Sequence, residues 1–378
     1  MNPARKPILV IAGDAGGAAA LLPVISALAN RRHDLHVLAY GAASQIWLKA
    51  GLAYRELPAS NVDPGKILRQ LTPCLLLAGT SMNGLDWEKQ FISAARREAV
   101  PSLALLDFWS NYRERFSDHS GKLQCLPDHI AVMDETALAQ MIALGFGADG
   151  LVVTGQPAFD CLAAVRRRAT VEFRNNLRSS LNLSHEKAVL FCSQPITRLY
   201  GANEAEPRFI GYTEDSVLRA LTTALESLAA KRPQSITLLI RPHPQETDYK
   251  APLPRNGIEI RLATQPDELE IALAVDVVVG MRSILLLKAA LLGCKVLSFQ
   301  PGLRGPDPLP NQRLGLGVSI YDAAALEPAL EVLLFGSATA PDVSRARDTL
   351  PPHATERVVD LVEMMLESKY ELSRQAGH

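Results

Sequence analysis

Short apolar runs alternate with amphipathic segments along almost the whole chain, and this alternation constrains the fold more than any other feature. Residues 8–12 form an apolar run that is followed by a glycine-rich turn and a segment with helical periodicity. Strands and helices that alternate in this way build parallel sheets covered by helices, so we predict an α/β fold. Further strands are predicted at residues 36–39, 74–78, 102–106, 130–133, 151–154, 188–192, 236–240, 258–262, 275–279 and 295–299.

The chain length of 378 residues suggests about two domains of ordinary α/β size. The strand series pauses in the middle of the sequence, where a helical run with three arginines and a polar stretch follow a glycine and a proline. We therefore predict two sequential α/β domains. The predicted boundaries are a first domain at 1–157, a connecting helix and linker at 158–187, a second domain at 188–350, and a final helix and tail at 351–378.

Charge and apolar patterning exclude several classes of protein. Lys and Arg number 39 and Asp and Glu number 40, so the chain lacks the basic field of a nucleic-acid binder. The apolar runs are strand-sized and fall short of the roughly 20 residues that cross a bilayer. The five cysteines form no CxxC pair, which argues against a zinc site and a disulfide framework. The N-terminal apolar run is too short for a signal peptide, so we expect a cytoplasmic protein.

The glycine-rich turn after the first predicted strand is the first candidate site. Gly13, Gly16 and Gly17 permit close approach of the backbone to a ligand or a neighbouring segment. Asp14 in this turn is a candidate helix cap, general base, or acceptor for a sugar hydroxyl. The glycine spacing does not match GxGxxG, so no dinucleotide site is expected.

A second candidate in the first half is residues 106–116, where three aromatic side chains lie among charges directly after a strand. Aromatic rings stack on sugar faces, and the polar side chains beside them bind hydroxyls or anionic groups. The alternative is a helix at a domain interface with a ladder of ion pairs. The predicted acceptor-binding residues are Trp109, Asn111, Arg113 and Arg115, together with Gly16 and Gly17, and Asp107 is a second candidate base.

In the second half, residues 241–246 follow a strand, and two prolines fix the loop that presents Arg241 and His243. An arginine beside a histidine suits the binding of phosphate. Glu246 in the same loop could orient the histidine or accept a hydrogen bond from a ribose.

Gly280, Arg282 and Ser283 end another strand and begin a helix, and this arrangement favours anion binding at the helix N-terminus. These residues would converge with Arg241 and His243 on one diphosphate if the two strands are neighbours in the sheet. The alternative is a capped helix with a surface arginine. Ser193, at the end of the domain's first strand, is a weaker candidate for the same cleft.

The order and spacing of these motifs resemble those of GT-B-fold nucleotide-sugar enzymes. Within that group the chain is similar to predicted polysaccharide-biosynthesis glycosyltransferases, with kinship to lipid-A-disaccharide synthase and to hydrolysing UDP-N-acetylglucosamine 2-epimerases. The residues that carry the resemblance are 13–17, 126–134, 153–157, 241–244, 280–283 and 285–293.

The resemblance implies two Rossmann-like domains that face each other across a cleft, with the last helix crossing back to the first domain. It implies a CMP-, CDP- or UDP-linked sugar as substrate, no further cofactor, and a glycan or lipid-linked acceptor. Contact with the inner face of the membrane and a homodimer are compatible with it. In relatives a His-Pro pair and a later serine hold the phosphates, which correspond here to His243-Pro244 and Ser283. A helix glutamate often binds the donor ribose, whereas this chain has Lys288.

These features predict a metal-independent glycosyltransferase, because the first domain has no DxD motif. Positive side chains and the serine of the second domain would stabilise the departing phosphate, and Asp14 or Asp107 would deprotonate the acceptor. One alternative is a hydrolysing 2-epimerase, although Asp14 occupies the place of that family's arginine-centred turn. Another is a nucleotide-sugar-binding protein without catalysis, which Lys288 keeps open.

Overall fold

The chain forms two α/β units, one comprising Met1–Cys161 with Thr349–His378 and the other Leu162–Asp348. The structure is a computed structural model that describes residues 7–243, 246, 249, 252, 255–263, 267–336 and 350–375, with side chains described to residue 368. Pro244 of the predicted His-Pro pair lies outside this range.

Unit 1 contains a parallel sheet with strand order β3-β2-β1-β4-β5-β6-β7. Its central strands consist of buried apolar residues because helices cover both faces. The strands are β1 (Ile8–Ala12), β2 (Leu35–Ala39), β3 (Arg55–Glu56), β4 (Leu75–Ala78), β5 (Ser102–Leu105), β6 (His129–Val132) and β7 (Leu151–Val153). The helices are α1 (Ala15–Asn30), α2 (Ala42–Lys49), α3 (Pro64–Leu71), α4 (Trp87–Arg97), α5 (Tyr112–Phe116) and α6 (Glu135–Ala143).

Unit 2 contains a second parallel sheet, with strand order β10-β9-β8-β11-β12-β13. The strands are β8 (Lys187–Cys192), β9 (Ile236–Arg241), β10 (Ile258–Leu262), β11 (Val277–Gly280), β12 (Val296–Phe299) and β13 (Val318–Ile320). The helices from the junction onward are α7 (Cys161–Arg168), α8 (Val171–Ser180), α9 (Ile196–Tyr200), α10 (Glu214–Lys231), α11 (Glu268–Ala274), α12 (Ile284–Leu291) and α13 (Leu326–Phe335).

The strand order reverses direction once in each sheet, between β1 and β4 in unit 1 and between β8 and β11 in unit 2. Ligands of open α/β sheets bind at the carboxyl ends of the strands where such a reversal occurs. The topology therefore selects the segments after β1 and β4 in unit 1, and those after β8 and β11 in unit 2.

The final helix, α14 (Ala354–Gln375), returns to unit 1, as the resemblance implies. Val358 and Val362 belong to the same buried cluster as residues of α1 and β1. At the helix surface the Arg31 guanidinium forms ion pairs with Glu356, Asp360 and Glu363 of α14, at 2.5, 3.2 and 2.6 Å.

The stretch predicted as a linker, 158–187, belongs to unit 2 from Leu162 onward. Its helix α8 packs against α11, and the Arg178 guanidinium donates hydrogen bonds to the carbonyls of Ala274 at 2.9 Å and Glu186 at 2.8 Å. These contacts tie the segment to the second sheet. No helix in the described part of the chain is both long and apolar enough to cross a membrane.

Candidate functional site

The Gly13–Asp14 turn lies at the carboxyl end of β1, where the strand order of unit 1 reverses. Asp14 occupies the N-cap position of α1, but its side chain makes no capping hydrogen bond. Its Oδ2 atom instead accepts a hydrogen bond of 2.5 Å from the backbone N–H of Met82, just after β4. Of the three readings of Asp14, capping is therefore contradicted, and the carboxylate belongs to the loops at the sheet edge.

Two glycines of the turn are required by close packing. A Cβ atom on Gly13 would lie 2.2 Å from the Tyr40 ring, and one on Gly16 would lie 1.7 Å from Asp107 Oδ2. A Cβ atom at either position would therefore force the Tyr40 ring or the Asp107 carboxylate to move. The glycines thus let Tyr40 and the Asp107 carboxylate approach the start of α1.

Asp107, at the end of β5, is held by Arg115. The Arg115 guanidinium forms a 2.6 Å ion pair with Asp107 Oδ1 and donates to the Thr80 carbonyl, also at 2.6 Å. The side chain of Arg115 is only 8% exposed. The structure therefore assigns Arg115 to orienting Asp107, whereas the sequence predicted that it would bind the acceptor.

The environment of Asp14 suits a base. Burial raises the pKa of its carboxyl above the ordinary value, and the negative charge of Asp107 adds to this effect. The Met82 N–H acts in the opposite direction because it stabilises the ionised form. A carboxylate with a raised pKa takes up a proton from a hydroxyl more readily near neutral pH.

The aromatic segment after β5 serves the packing of unit 1. Trp109 is 5% exposed, stacks on Phe159 with ring centroids 6.4 Å apart, and donates from Nε1 to Asp134 at 2.9 Å. Arg113 donates to the carbonyl of Leu144 at 2.7 Å. Because its ring is covered, the prediction that Trp109 stacks on a sugar is at odds with the structure.

Asn111 and Gly17 complete the set of predicted acceptor residues. Asn111 precedes α5 with a left-handed φ of 57°, a conformation that asparagine tolerates well, and its side chain makes no capping bond. Gly17 is buried beside the backbone of Gly79, 3.5 Å from the place of a Cβ atom. Both residues shape the backbone at the carboxyl edge of the sheet.

Glu88, which the sequence did not single out, is the most unusual side chain in this region. It is 2% exposed, and its Oε1 atom accepts a 2.8 Å hydrogen bond from the Gly13 N–H. The hydroxyls of Tyr40 and Ser81 also donate to its carboxylate. Burial raises the pKa of Glu88 to about 7. Two of its partners, Gly13 and Tyr40, are 75 and 48 positions away in the sequence, so no local pattern indicates it.

In unit 2 the predicted phosphate-binding residues lie at the carboxyl ends of three strands. Convergence of these residues was conditional on β9 and β11 being neighbours, and they are not, because β8 pairs with both of them. The segment after β8 therefore separates Arg241 and His243 from Arg282 and Ser283. This places Ser193, the weaker candidate, at the centre of the set.

Glu246 organises the loop after β9. Its two carboxylate oxygens accept hydrogen bonds from Ser193 Oγ at 2.9 Å and from the backbone N–H of His243 at 2.6 Å. Burial raises the pKa of this carboxyl. Of the two roles considered for Glu246, these contacts favour orienting the loop over binding a ribose.

His243 lies in an electropositive environment. Burial lowers the pKa of its imidazole, and the positive charge of Arg198 lowers it further, against a smaller effect from Glu268. The ring is therefore predominantly neutral near pH 7, and one of its nitrogens can donate a hydrogen bond to a phosphate oxygen.

The segment after β11 is held by the segment after β8. Gln194 Oε1 accepts a 2.9 Å hydrogen bond from the Arg282 N–H, and the Arg282 guanidinium lies 4.9 Å from the centre of the Tyr200 ring. Ser283 caps α12 by accepting from the Leu285 N–H at 3.3 Å. A Cβ atom on Gly280 would lie 3.3 Å from a backbone carbonyl of β8, so glycine eases this strand pairing.

Lys288 is paired within unit 2. Its ammonium lies 3.3 Å from the carboxylate of Glu268 at the start of α11. It is therefore not a spare cation. Among the described residues, no group of three His, Cys, Asp or Glu side chains is arranged to hold a metal ion.

The two parallel sheets, each with helices on both faces and with a final helix that returns to unit 1, define the GT-B fold. The chain resembles solved structures of this class over nearly its whole length. Comparison with models of known protein families gives no match, and comparison with curated sequences gives no significant match.

Three solved structures illustrate the similarity. UDP-GlcNAc 2-epimerase from Methanocaldococcus jannaschii, in complex with UDP-GlcNAc and UDP, has a TM-score of 0.63 at 12% identity, covering 95% of this chain and 99% of the other. MnaA from S. aureus, with UDP, has a TM-score of 0.66 at 14% identity, covering 96% and 97%. MurG from Acinetobacter baumannii has a TM-score of 0.58 at 12% identity, covering 95% and 99%. At these identities the comparison establishes the fold.

Proposed function

We propose that the protein is a metal-independent glycosyltransferase that transfers a sugar from a nucleotide-activated donor. The observation that carries the proposal is the set of cationic and hydrogen-bonding side chains at adjacent strand ends of unit 2. Arg241 ends β9 and His243 follows it, Ser193 follows β8, and Arg282 and Ser283 follow β11. Cationic and hydrogen-bonding groups at strand ends and a helix N-terminus suit a diphosphate.

The leaving group in this reaction is a nucleoside phosphate, on which negative charge develops as the sugar departs. Arg241 and Arg282 would stabilise that charge, and His243 would donate a hydrogen bond to a phosphate oxygen. Ser193 holds the segment after β9 through its hydrogen bond to Glu246. Gln194 holds the segment after β11 by accepting from the Arg282 N–H. UDP is the first nucleotide to consider, because two of the similar structures contain it; CDP- and CMP-linked sugars are the alternatives.

Unit 1 would supply the base. Asp14 lies at the strand-order reversal with a raised pKa, and Asp107 is the second candidate. Either carboxylate would take the proton of an acceptor hydroxyl as it attacks the sugar. The acceptor is proposed to be a glycan or a lipid-linked sugar of surface polysaccharide biosynthesis, reached from the cytoplasm, with peripheral membrane contact where the acceptor is lipid-linked.

A hydrolysing 2-epimerase is the second candidate. Two carboxylates near one another on unit 1 could remove a proton from C2 of the sugar, and several of the similar structures are UDP-GlcNAc 2-epimerases. This reaction needs no acceptor, which separates it from transfer.

The test is the release of free nucleotide from UDP-GlcNAc, and from CDP- and CMP-linked sugars, with and without a glycan acceptor. Release that depends on the acceptor supports transfer, and loss of that activity in Asp14→Asn and His243→Ala supports the assigned roles. Release from the donor alone together with an altered free sugar supports the epimerase. Tight nucleotide binding without any turnover contradicts both enzymes and favours a binding protein.

A further inference from the structure

A buried carboxylate lies beneath the turn that carries Asp14. Glu88, in the first turn of α4, accepts hydrogen bonds from the Gly13 N–H and from the hydroxyls of Tyr40 and Ser81. Its partners come from the ends of β1, β2 and β4. One side chain therefore joins the three loops at the centre of this sheet edge.

Ser81 extends this arrangement to Asp14. Its Oγ atom accepts hydrogen bonds from the backbone N–H of Asp14 at 2.8 Å and of Gly13 at 3.1 Å. Above its pKa of about 7 the Glu88 carboxylate is ionised and only accepts hydrogen bonds, so the Ser81 hydroxyl donates to it. Its lone pairs are then directed at the two amides.

The next residue along the chain fixes the other end of Asp14. The Met82 N–H donates to the Asp14 carboxylate at 2.5 Å. Ser81 and Met82 thus hold the backbone and the side chain of Asp14 respectively. Whatever fixes Ser81 also fixes the direction of the Asp14 carboxylate.

We propose that Glu88 is a positioning residue that sets the place of the Asp14 carboxylate through Ser81 and the Gly13 N–H. The proposal rests on the proposed function only in taking Asp14 as the base. A buried carboxyl is unfavourable for folding unless its oxygens are hydrogen-bonded, so an apolar side chain would be the simpler way to fill this space. The raised pKa of Glu88 is consistent with that cost.

The direct test is Glu88→Met, which keeps a side chain of similar length but removes both carboxylate oxygens. The Gly13 N–H and the Ser81 hydroxyl both donate to Oε1, so both lose this acceptor and Ser81 loses its fixed orientation. Hydrogen exchange measured by mass spectrometry should become faster in the peptide containing Gly13 and Asp14 and remain unchanged in the peptides of unit 2. Unchanged exchange in that first peptide overturns the proposal, and this result does not depend on any activity.

Asp134→Leu is the matched control, because it likewise removes a buried carboxylate. Asp134 is a fully buried carboxylate of the same unit that accepts from Trp109 Nε1 and the Ala137 N–H. Neither of these two hydrogen bonds involves the Gly13–Asp14 turn. Exchange at the turn should be the same in this variant as in the wild type. If it rises equally in both variants, general loosening of unit 1 explains it and the proposal fails.

Turnover supplies a second readout, with UDP-GlcNAc as the probe donor. In Glu88→Met we expect kcat to fall about tenfold, with KM for the donor within about twofold, because misplacing a catalytic group affects the transition state more than ground-state binding. Ser81→Ala should lower kcat by the same factor. The double variant should lower kcat no further than Ser81→Ala alone. Full kcat in Glu88→Met where Asp14→Asn is inactive overturns the proposal. If Asp14→Asn is itself fully active, the proposed function fails, while faster exchange still supports the positioning of the turn by Glu88.

Discussion

The Oδ2 atom of Asp107 lies 1.7 Å from the position that a Cβ atom on Gly16 would occupy. Gly16→Ala would therefore push this carboxylate away, against the ion pair that Arg115 forms with it. We expect this variant to lose activity by about tenfold or more, because small displacements of catalytic groups reduce rates strongly. Nucleotide release and the melting temperature should be measured together.

Gly17→Ala is the matched control for this substitution. Its Cβ atom would lie 3.5 Å from Gly79, an ordinary van der Waals contact. Alanine also favours a helix over glycine, by up to about 1 kcal/mol. This variant should keep its activity and its stability. Equal loss in both variants would show that the start of α1 tolerates no methyl group, and would remove Asp107 from the explanation.

The raised pKa of Glu88 makes stability depend on pH. The folded protein binds a proton at Glu88 up to about pH 7, whereas the unfolded chain releases it near the ordinary value of 4.5. Stability relative to Glu88→Gln should therefore fall as pH rises from about 4.5 to about 7, by on the order of 3 kcal/mol, and be constant above that range. Denaturant unfolding of both proteins across this range checks it. A stability difference that does not change with pH would contradict the raised pKa.

Gln194 should affect nucleotide binding without touching the nucleotide. Its side-chain oxygen holds the Arg282 N–H, so Gln194→Ala leaves the loop after β11 without that anchor. One net hydrogen bond is worth about 1 kcal/mol, and the affinity for UDP should fall about fivefold. Gln140→Ala, which removes an acceptor of the Tyr112 hydroxyl in unit 1, is the control for calorimetric titration. Identical UDP affinity in the Gln194 variant and the wild type would contradict the anchoring role.

Arg31 fastens the final helix to unit 1 through its ion pairs with three carboxylates. Arg31→Ala should lower the melting temperature more than Arg69→Ala, which breaks a single ion pair, with Glu98. Because these charges are near the surface, salt should reduce the difference. A difference that persists in high salt would indicate lost packing of the arginine side chain as the cause.

The sequence predicted the central strands well, because short buried apolar runs such as those of β1 and β11 have few other interpretations. It missed β3 and β13, which are two and three residues long and carry exposed side chains. It found the strand ends that carry Asp14 and Arg282. It could not find Glu88, whose contacts with Tyr40 and Gly13 join residues 48 and 75 positions apart.

The direction in which each side chain points was the second feature that could not be predicted from the sequence. Trp109 and Arg115 have the composition of a ligand-binding loop, yet both are directed into unit 1. The partners of Lys288 and Glu246 likewise depend on which strands and helices are neighbours. The alternation of strands and helices in the sequence predicts where the edges of the sheets lie. Tertiary packing determines which side chains at those edges face a ligand.

The measurement that tests the nucleotide site most directly is calorimetric titration of the full chain with UDP, CDP and CMP. We expect one of them to bind at a single site. His243→Ala and Arg282→Ala should each weaken that binding about tenfold or more, as expected for lost contacts to a charged group, and Asp14→Asn should leave it unchanged. Absence of binding by all three nucleotides, or equal affinity in the wild type and the His243 and Arg282 variants, would contradict the assignment of the donor site to unit 2.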